Sequence, residues 1–253
     1  MLEELLTLNL FGFFLIFARL GSALAIFPGF SAIFVSMQFR LGIALALSFV
    51  MAPVLIGSLP VRPPSALAMA ILIAVEILNG IFFGTIARIL MGALQTAGTL
   101  VAYVSSLANA MIQDPIAEQQ SSTIAGFLLT AGALLIFATN LHHLMIRTIV
   151  DSYSLLAPGA SIPVGGMVEV VGRQVADSFA LGLQLAAPFI IVGMTYYIGL
   201  GLLGRLMPQL QVFFFGLPAQ IAIQIWVLAI TFSGIMMVFL EHFSEAYQNF
   251  ILP

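Results

Sequence analysis

A chain of 253 residues in which 62% are hydrophobic and only 7% charged is no water-soluble globule, because soluble domains carry roughly 25% charged residues. The seven basic residues are all arginine and the ten acidic ones leave a net charge of −3, so neither a basic stripe for nucleic acid nor a polybasic lipid anchor can be assembled. With no cysteine, disulfides, thiolate metal sites and thiol nucleophiles are excluded.

The chain opens on Glu3 and Glu4 where a secretory signal would carry basic residues, and Arg19 interrupts the apolar run, so the N-terminus reads as a retained first span. Six stretches hold no charge: Leu20–Phe39, Leu41–Val61, Ile89–Gln113, Gln119–Ile146, Ser178–Gly204 and Leu206–Leu240. Each reaches the roughly twenty residues that a hydrocarbon core near ~30 Å requires. Punctuation by Pro, Gly and polar residues predicts helices near 5–27, 38–59, 65–87, 88–110, 123–147, 178–204 and 211–240. Runs this long and this little alternated are not barrel strands. The expected fold class is therefore an all-α, membrane-associated protein of long, kinked helical hairpins. No turn signal separates 65–87 from 88–110, which leaves open one very long helix or a span with a buried return. The Pro- and Gly-containing stretch 157–166 is a predicted aqueous connection, dividing a larger N-terminal part from a C-terminal pair of helices. If 65–110 crosses once, Arg40, Arg88 and Arg205 fall on one side and Arg62, Arg147 and Arg173 on the other. Short basic loops normally stay cytoplasmic, and this tie hints that the helices do not all cross in the usual way.

Glu76 lies near the middle of a predicted span, where a carboxylate is a functional candidate by default. It reads either as a coupling acid or as half of a buried pair with an arginine or a neighbouring subunit. Further on, Gly98, Ala102, Ser106 and Ala110 recur every fourth position, lining one helix face that lets another backbone come close. Gln95, Thr99, Asn109 and Gln113 are interleaved on nearly the same face, so this face meets protein or water. Helix packing within the chain and a pore lining would look alike here.

The polar insert 111–123 follows, and in it Pro115 pushes Asp114 out of the helical region and stops the helix. Ser121 or Ser122 can cap the next one. The insert reads as a surface loop or as a re-entrant segment in a water-filled cavity, with Met111 as a flexible apolar seal. His142 and His143, being adjacent, point about 100° apart and cannot share one metal; with Asn140 they suggest a hydrogen-bonding cluster. The stretch Gly199–Ile221 bends one long helix into the next, with Arg205 at its polar end, Pro208 forcing the turn, and Pro188 and Pro218 marking kinks or starts. No nucleophile elbow, phosphate loop or dinucleotide fingerprint is present, so an enzyme is not indicated and no cofactor is implied.

Several blocks together resemble a known family. They are Arg19 followed by Pro28 and Arg40, Glu76-x-x-x-Gly80-x-x-x-Gly84, Asp114-Pro115, Asn140-x-His142, Gly201-Leu-Leu-Gly204-Arg205-Leu-Met-Pro208-Gln-Leu-Gln-Val-Phe with Gly216-x-Pro218, and the closing Glu241-His242. Nearly end to end, the chain resembles the FliR/SctT family of type III export-gate proteins, leaning to its flagellar branch over the virulence branch. The resemblance implies a subunit of a hetero-oligomeric helical assembly in the bacterial inner membrane at the flagellar basal body, partly above the membrane plane. FliP, FliQ and FlhB are the implied partners, with unfolded flagellar proteins as cargo. It also implies a FliP-like part over 1–177, holding a plug loop at about 106–123, and a FliQ-like hairpin over 178–253. Ser106, Asn109, Ala110, Met111, Gln113, Asp114, Pro115 and Glu118 are then the plug candidates. Glu76, Gly80, Gly84, Gly98, Ala102, Gly201, Gly204, Arg205, Pro208, Gly216 and Pro218 are the packing and assembly candidates. A stand-alone proton-coupled transporter using Glu76 is the rival reading from another class.

Overall fold

The computed structural model describes residues 2–32, 35–106, 123–161, 163–207 and 212–250, and among them there is helix and no strand. In chain order the elements are α1 (Leu2–Ile26), α2 (Met37–Leu55), a 3-10 turn (Ile56–Ser58), α3 (Ala66–Val104), α4 (Thr123–Ala138), α5 (Leu141–Leu155), α6 (Val164–Leu206) and α7 (Val212–Gln248).

Three of these depart from the expected boundaries, each for a local reason. The stretches 65–87 and 88–110 form one 39-residue helix, α3, which contains no proline to interrupt it. The expected helix 123–147 is instead broken at Asn140, whose φ of 62° and ψ of 14° place it in the left-handed region. Asparagine tolerates that region better than most residues, and one such residue ends a helix. Helix α6 starts at Val164, well ahead of the expected 178. Charges had excluded that turn from an apolar span, yet Glu169 and Arg173 are spaced to pair on a helix surface, and Arg173 Nη2 donates to Glu169 Oε1 at 2.9 Å.

The chain divides into two compact units. One comprises Met1–Ile89, Ile136–Gln174 and Phe243–Pro253; the other comprises Leu90–Leu135 and Val175–His242. In the first, α1 packs on α2 and both meet α5. Its buried side chains include Leu15, Leu20 and Leu24 of α1, Phe83 and Ile86 of α3, Met145 and Ile149 of α5, and Phe243 and Tyr247 of α7. Ile16, Leu55 and Tyr153 form a further cluster there. Asn140 leads into a ring stack, His142 lying 4.9 Å from Phe137 and 4.1 Å from His143. His142 Nδ1 is buried without a partner among the described residues, and the rings of His142 and His143 stack beside Asn140. In the second unit the core is drawn from Leu90, Leu94 and Val101 of α3, Ala125 and Leu128 of α4, Leu185 and Phe189 of α6, and Met236 and Phe239 of α7.

Among the described residues four helices are long and apolar enough to cross a membrane, namely Met37–Leu55, Ala66–Val104, Val164–Leu206 and Gly216–Gln248. The broken pair Thr123–Ala138 and Leu141–Leu155 makes a fifth if it counts as one span. The protein is thus an all-α membrane protein. At 1.5 Å per residue α3 is about 58 Å long and α6 about 65 Å, roughly twice a hydrocarbon core of ~30 Å.

Candidate functional site

Two polar constructions stand inside these apolar helices, one in each unit. In the first unit Arg19 and Glu76 are both fully buried. Arg19 Nε donates to Glu76 Oε2 at 2.5 Å and Nη2 to Oε1 at 3.0 Å, the two-pronged geometry in which a guanidinium grips a carboxylate. Its Nη1 donates to Ser152 Oγ at 3.0 Å and its Nη2 also to the Leu156 carbonyl at 2.7 Å. The Tyr153 ring covers the guanidinium carbon at 3.9 Å. An isolated charge would be intolerable here, and this one is compensated on every side.

Gly80 and Gly84 continue the face of α3 that carries Glu76. A Cβ on Gly80 would run into the Arg19 carbonyl oxygen and Ser22 Oγ, and one on Gly84 would come within 2.8 Å of Ile26 Cβ. Ser22 Oγ also donates to the Ile77 carbonyl at 3.1 Å. The repeat therefore brings α3 against α1 closely enough for the ion pair to close, the pairing with an arginine being one of the two readings that sequence left open.

The second construction, in the other unit, holds the end of α3. Ser106, with φ of 60°, terminates the helix in the left-handed region. Helix ends leave carbonyls without intrahelical partners, and here Gln220 Nε2 of α7 donates to the Val104 carbonyl at 2.5 Å. Ser106 Oγ donates to Gln220 Oε1 at 3.3 Å and lies 3.2 Å from the Tyr197 hydroxyl of α6. A Cβ on Gly193 of α6 would overlap the Val104 side chain, so only glycine lets α6 come this close. One turn beyond Gln220, Gln224 Nε2 donates to the Phe189 carbonyl at 3.2 Å. Tyr196 OH donates to the Gly216 carbonyl at 2.6 Å, and a Cβ on Gly216 would approach Leu200 Cδ2 to 2.9 Å.

Helix α4 begins at Thr123. A Cβ on Gly98 would run into the Ala125 backbone, so α3 and α4 touch through Gly98, and Ala102 is buried beside it. Gln95 and Tyr103 are exposed. Gly98 and Ala102 therefore pack inward, while Gln95 faces out and Thr99 is half-buried.

Asn109, Ala110, Met111, Gln113, Asp114, Pro115, Glu118 and Pro208 lie outside the described residues. Pro218 is exposed inside α7. Among the described residues Gly201 and Gly204 meet nothing within 4 Å where a Cβ would stand, and Arg205 is exposed. Gln220 and Gln224, both buried, were not singled out by sequence reasoning. Two amides one helical turn apart in an apolar helix are the signal that could have found them, since neither can face lipid unpaired. Among the described residues no group of three or more His, Asp or Glu could hold a metal ion. Uncharged hydrogen bonds that fix a helix end can hold and release a segment; they supply no nucleophile or base.

Residues 10–246 match the model of a family described as bacterial export proteins, family 1. The chain belongs to that family. Among its relatives, the flagellar biosynthetic protein FliR of Caulobacter vibrioides is 33% identical over 236 residues, covering 93% of this chain and 94% of its own. FliR of Bacillus subtilis is 28% identical over 243 residues, with 94% and 92% covered. The Yop proteins translocation protein T of Yersinia pestis is 28% identical over 233 residues, with 88% and 86% covered. Flagellar and virulence members both match, so the family is the FliR/SctT family expected from the sequence blocks, and its members are export components.

Proposed function

We propose that this chain is a core subunit of the flagellar type III export gate in the bacterial inner membrane. With FliP and FliQ, and close to FlhB, it forms a gated conduit for unfolded flagellar proteins. Residues 1–177 take the FliP-like place in that assembly and 178–253 the FliQ-like place, and the insert at about 106–123 occludes the conduit at rest.

The observation that carries this reading is the fixing of the insert's two stems. On one side Val104 and Ser106 are held by Gln220 and Tyr197; on the other Ala125 is seated on Gly98. Anchoring of this kind suits a plug that must return to one place, and a gap of a few kcal/mol between closed and open states already leaves the open one at about 0.1–10%. The transporter reading loses support because the Glu76 carboxylate is gripped by Arg19 through both oxygens.

Deleting residues 111–122 and recording ion leak through the assembled gate tests the plug. A raised leak is expected, and an unchanged one would remove the insert from that role. Purifying the tagged chain from membranes tests the assembly: FliP and FliQ should come with it, and a solitary chain carrying small solutes would overturn the export reading.

A further inference from the structure

In the first unit a cleft of 340 Å³ opens between α1 and α2, floored by Ile77 of α3. Small residues make it: Ala18, Gly21 and Ala25 on α1 face Ala44 on α2, with the rings and branches of larger neighbours forming the walls. At one end stands Arg40. Its Nε donates to the Val35 carbonyl at 3.2 Å, and its Nη2 to the carbonyls of Ala32 at 3.0 Å and Val35 at 2.8 Å. These bonds pin the guanidinium but neutralise nothing, and Nη1 has no partner among the described residues. No acid pairs with Arg40 among the described residues, Glu76 being engaged by Arg19. Arg40 also sits in the first turn of α2, where the helix dipole repels a cation.

We propose that this cleft seats an acyl chain of an anionic phospholipid whose headgroup phosphate pairs with Arg40. Size decides against a protein helix, which is about 10–12 Å across with its side chains and cannot enter. The cleft lies near the lower end of the ~300–1,000 Å³ range of small-molecule sites, suiting one extended hydrocarbon chain. Charge decides the headgroup, because a pinned guanidinium offers a phosphate preorganised donors and an opposite charge. Continuity agrees with both. Met37 and Leu41 of the cleft are themselves exposed, as are Leu45 and Phe49 further along α2, and α2 is long and apolar enough to span a bilayer with Arg40 near its end, at headgroup level.

The test uses the full chain in its membrane assembly, transferred into mixed micelles of neutral detergent with phosphatidylglycerol or phosphatidylcholine of identical acyl chains. Bound lipid is then counted by native mass spectrometry. The unaltered chain should retain phosphatidylglycerol about tenfold better than phosphatidylcholine, whose phosphate is already accompanied by a cationic choline that the Arg40 guanidinium repels. Arg40→Gln should bring the two lipids level, and Arg40→Lys should keep part of the preference. Ala25→Phe fills the cleft from an exposed position and leaves Arg40 in place, so it should lower retention of both lipids even if Arg40→Gln fails to accumulate. Equal retention of both lipids by the unaltered chain overturns the proposal, as does a preference that survives Arg40→Gln. Displacement by millimolar inorganic phosphate would mean a simple anion site. Loss of a co-purifying protein from Ala25→Phe with lipid unchanged would mean that a partner fills the cleft. Either result also overturns the proposal.

Discussion

At the scale of single residues, the Arg19–Glu76 pair is where stability is concentrated and where function could be mistaken for it. Removing one partner leaves the other charge buried and uncompensated, which costs about 3–5 kcal/mol, whereas replacing both with apolar residues is often neutral or stabilising. Arg19→Met alone and Glu76→Leu alone should therefore each deplete the chain from the membrane assembly. The double substitution should recover much of that loss, measured as chain co-purifying with its partners and as export rate. If Glu76 carried protons, the double variant would assemble and transport nothing. Gly80→Ala should damage the same place, since its new methyl group meets the Arg19 carbonyl and Ser22 Oγ, and overpacking of this kind costs about 1–3 kcal/mol. The sequence marks Glu76 and the Gly80 and Gly84 spacing plainly. It leaves the partner open because Arg19 is 57 positions away, and nothing local says which arginine the fold will deliver.

At the scale of elements, charge-free runs locate most helices because lipid or a packed interior must satisfy every backbone group within the segment. The same criterion cannot see helix that continues past the apolar part, which is why the expected helix 178–204 omits the turns of α6 carrying Glu169, Arg173 and Asp177. Nor does it register a break made by one left-handed residue at Asn140. The stripe on α3 shows a third limit: residue spacing puts Gly98, Ala102 and Gln95 near one another, but long and short side chains on adjoining positions part company once a partner helix arrives. The clamp on α3 was invisible for a similar reason, since it joins Val104 and Ser106 to Gln220 and Tyr197, far along the chain. Its importance to gating is measurable. Gln220→Leu strips the Val104 carbonyl of its donor in a buried setting, a loss of about 1–3 kcal/mol. If the open state does not use this bond, about 1–2 kcal/mol raises the open fraction about five- to thirtyfold. Ion leak through the assembled gate should rise accordingly, and Tyr197→Phe, which removes only one contact to Ser106, should have a smaller effect. A leak unchanged by Gln220→Leu, in a gate that still assembles, would detach the clamp from gating.

At the scale of the whole molecule, apolar surface exceeds what a single chain can cover. Of the most hydrophobic window of α2 only 17% is buried, and of that of α3 only 22%. Trp226 is 72% exposed and Leu206 is 77% exposed. Helices about twice the thickness of the hydrocarbon core cannot hide all of this in lipid, so part of it must meet other subunits. The glycines of α6 point to one such place. Gly201 and Gly204 cost helix stability, about 1 kcal/mol each relative to alanine, yet nothing among the described residues comes near enough to need them. A close helix from a neighbouring subunit would explain that cost, as small residues let two backbones approach in membranes. The combined variant Gly201→Leu with Gly204→Leu should leave the chain itself at normal levels and as resistant to protease as before, because both new side chains point into open space. Recovery of the chain with other components of the export apparatus should nevertheless fall sharply. Undiminished recovery would show that this stretch of α6 faces lipid, and the seam between subunits would then have to lie along another helix.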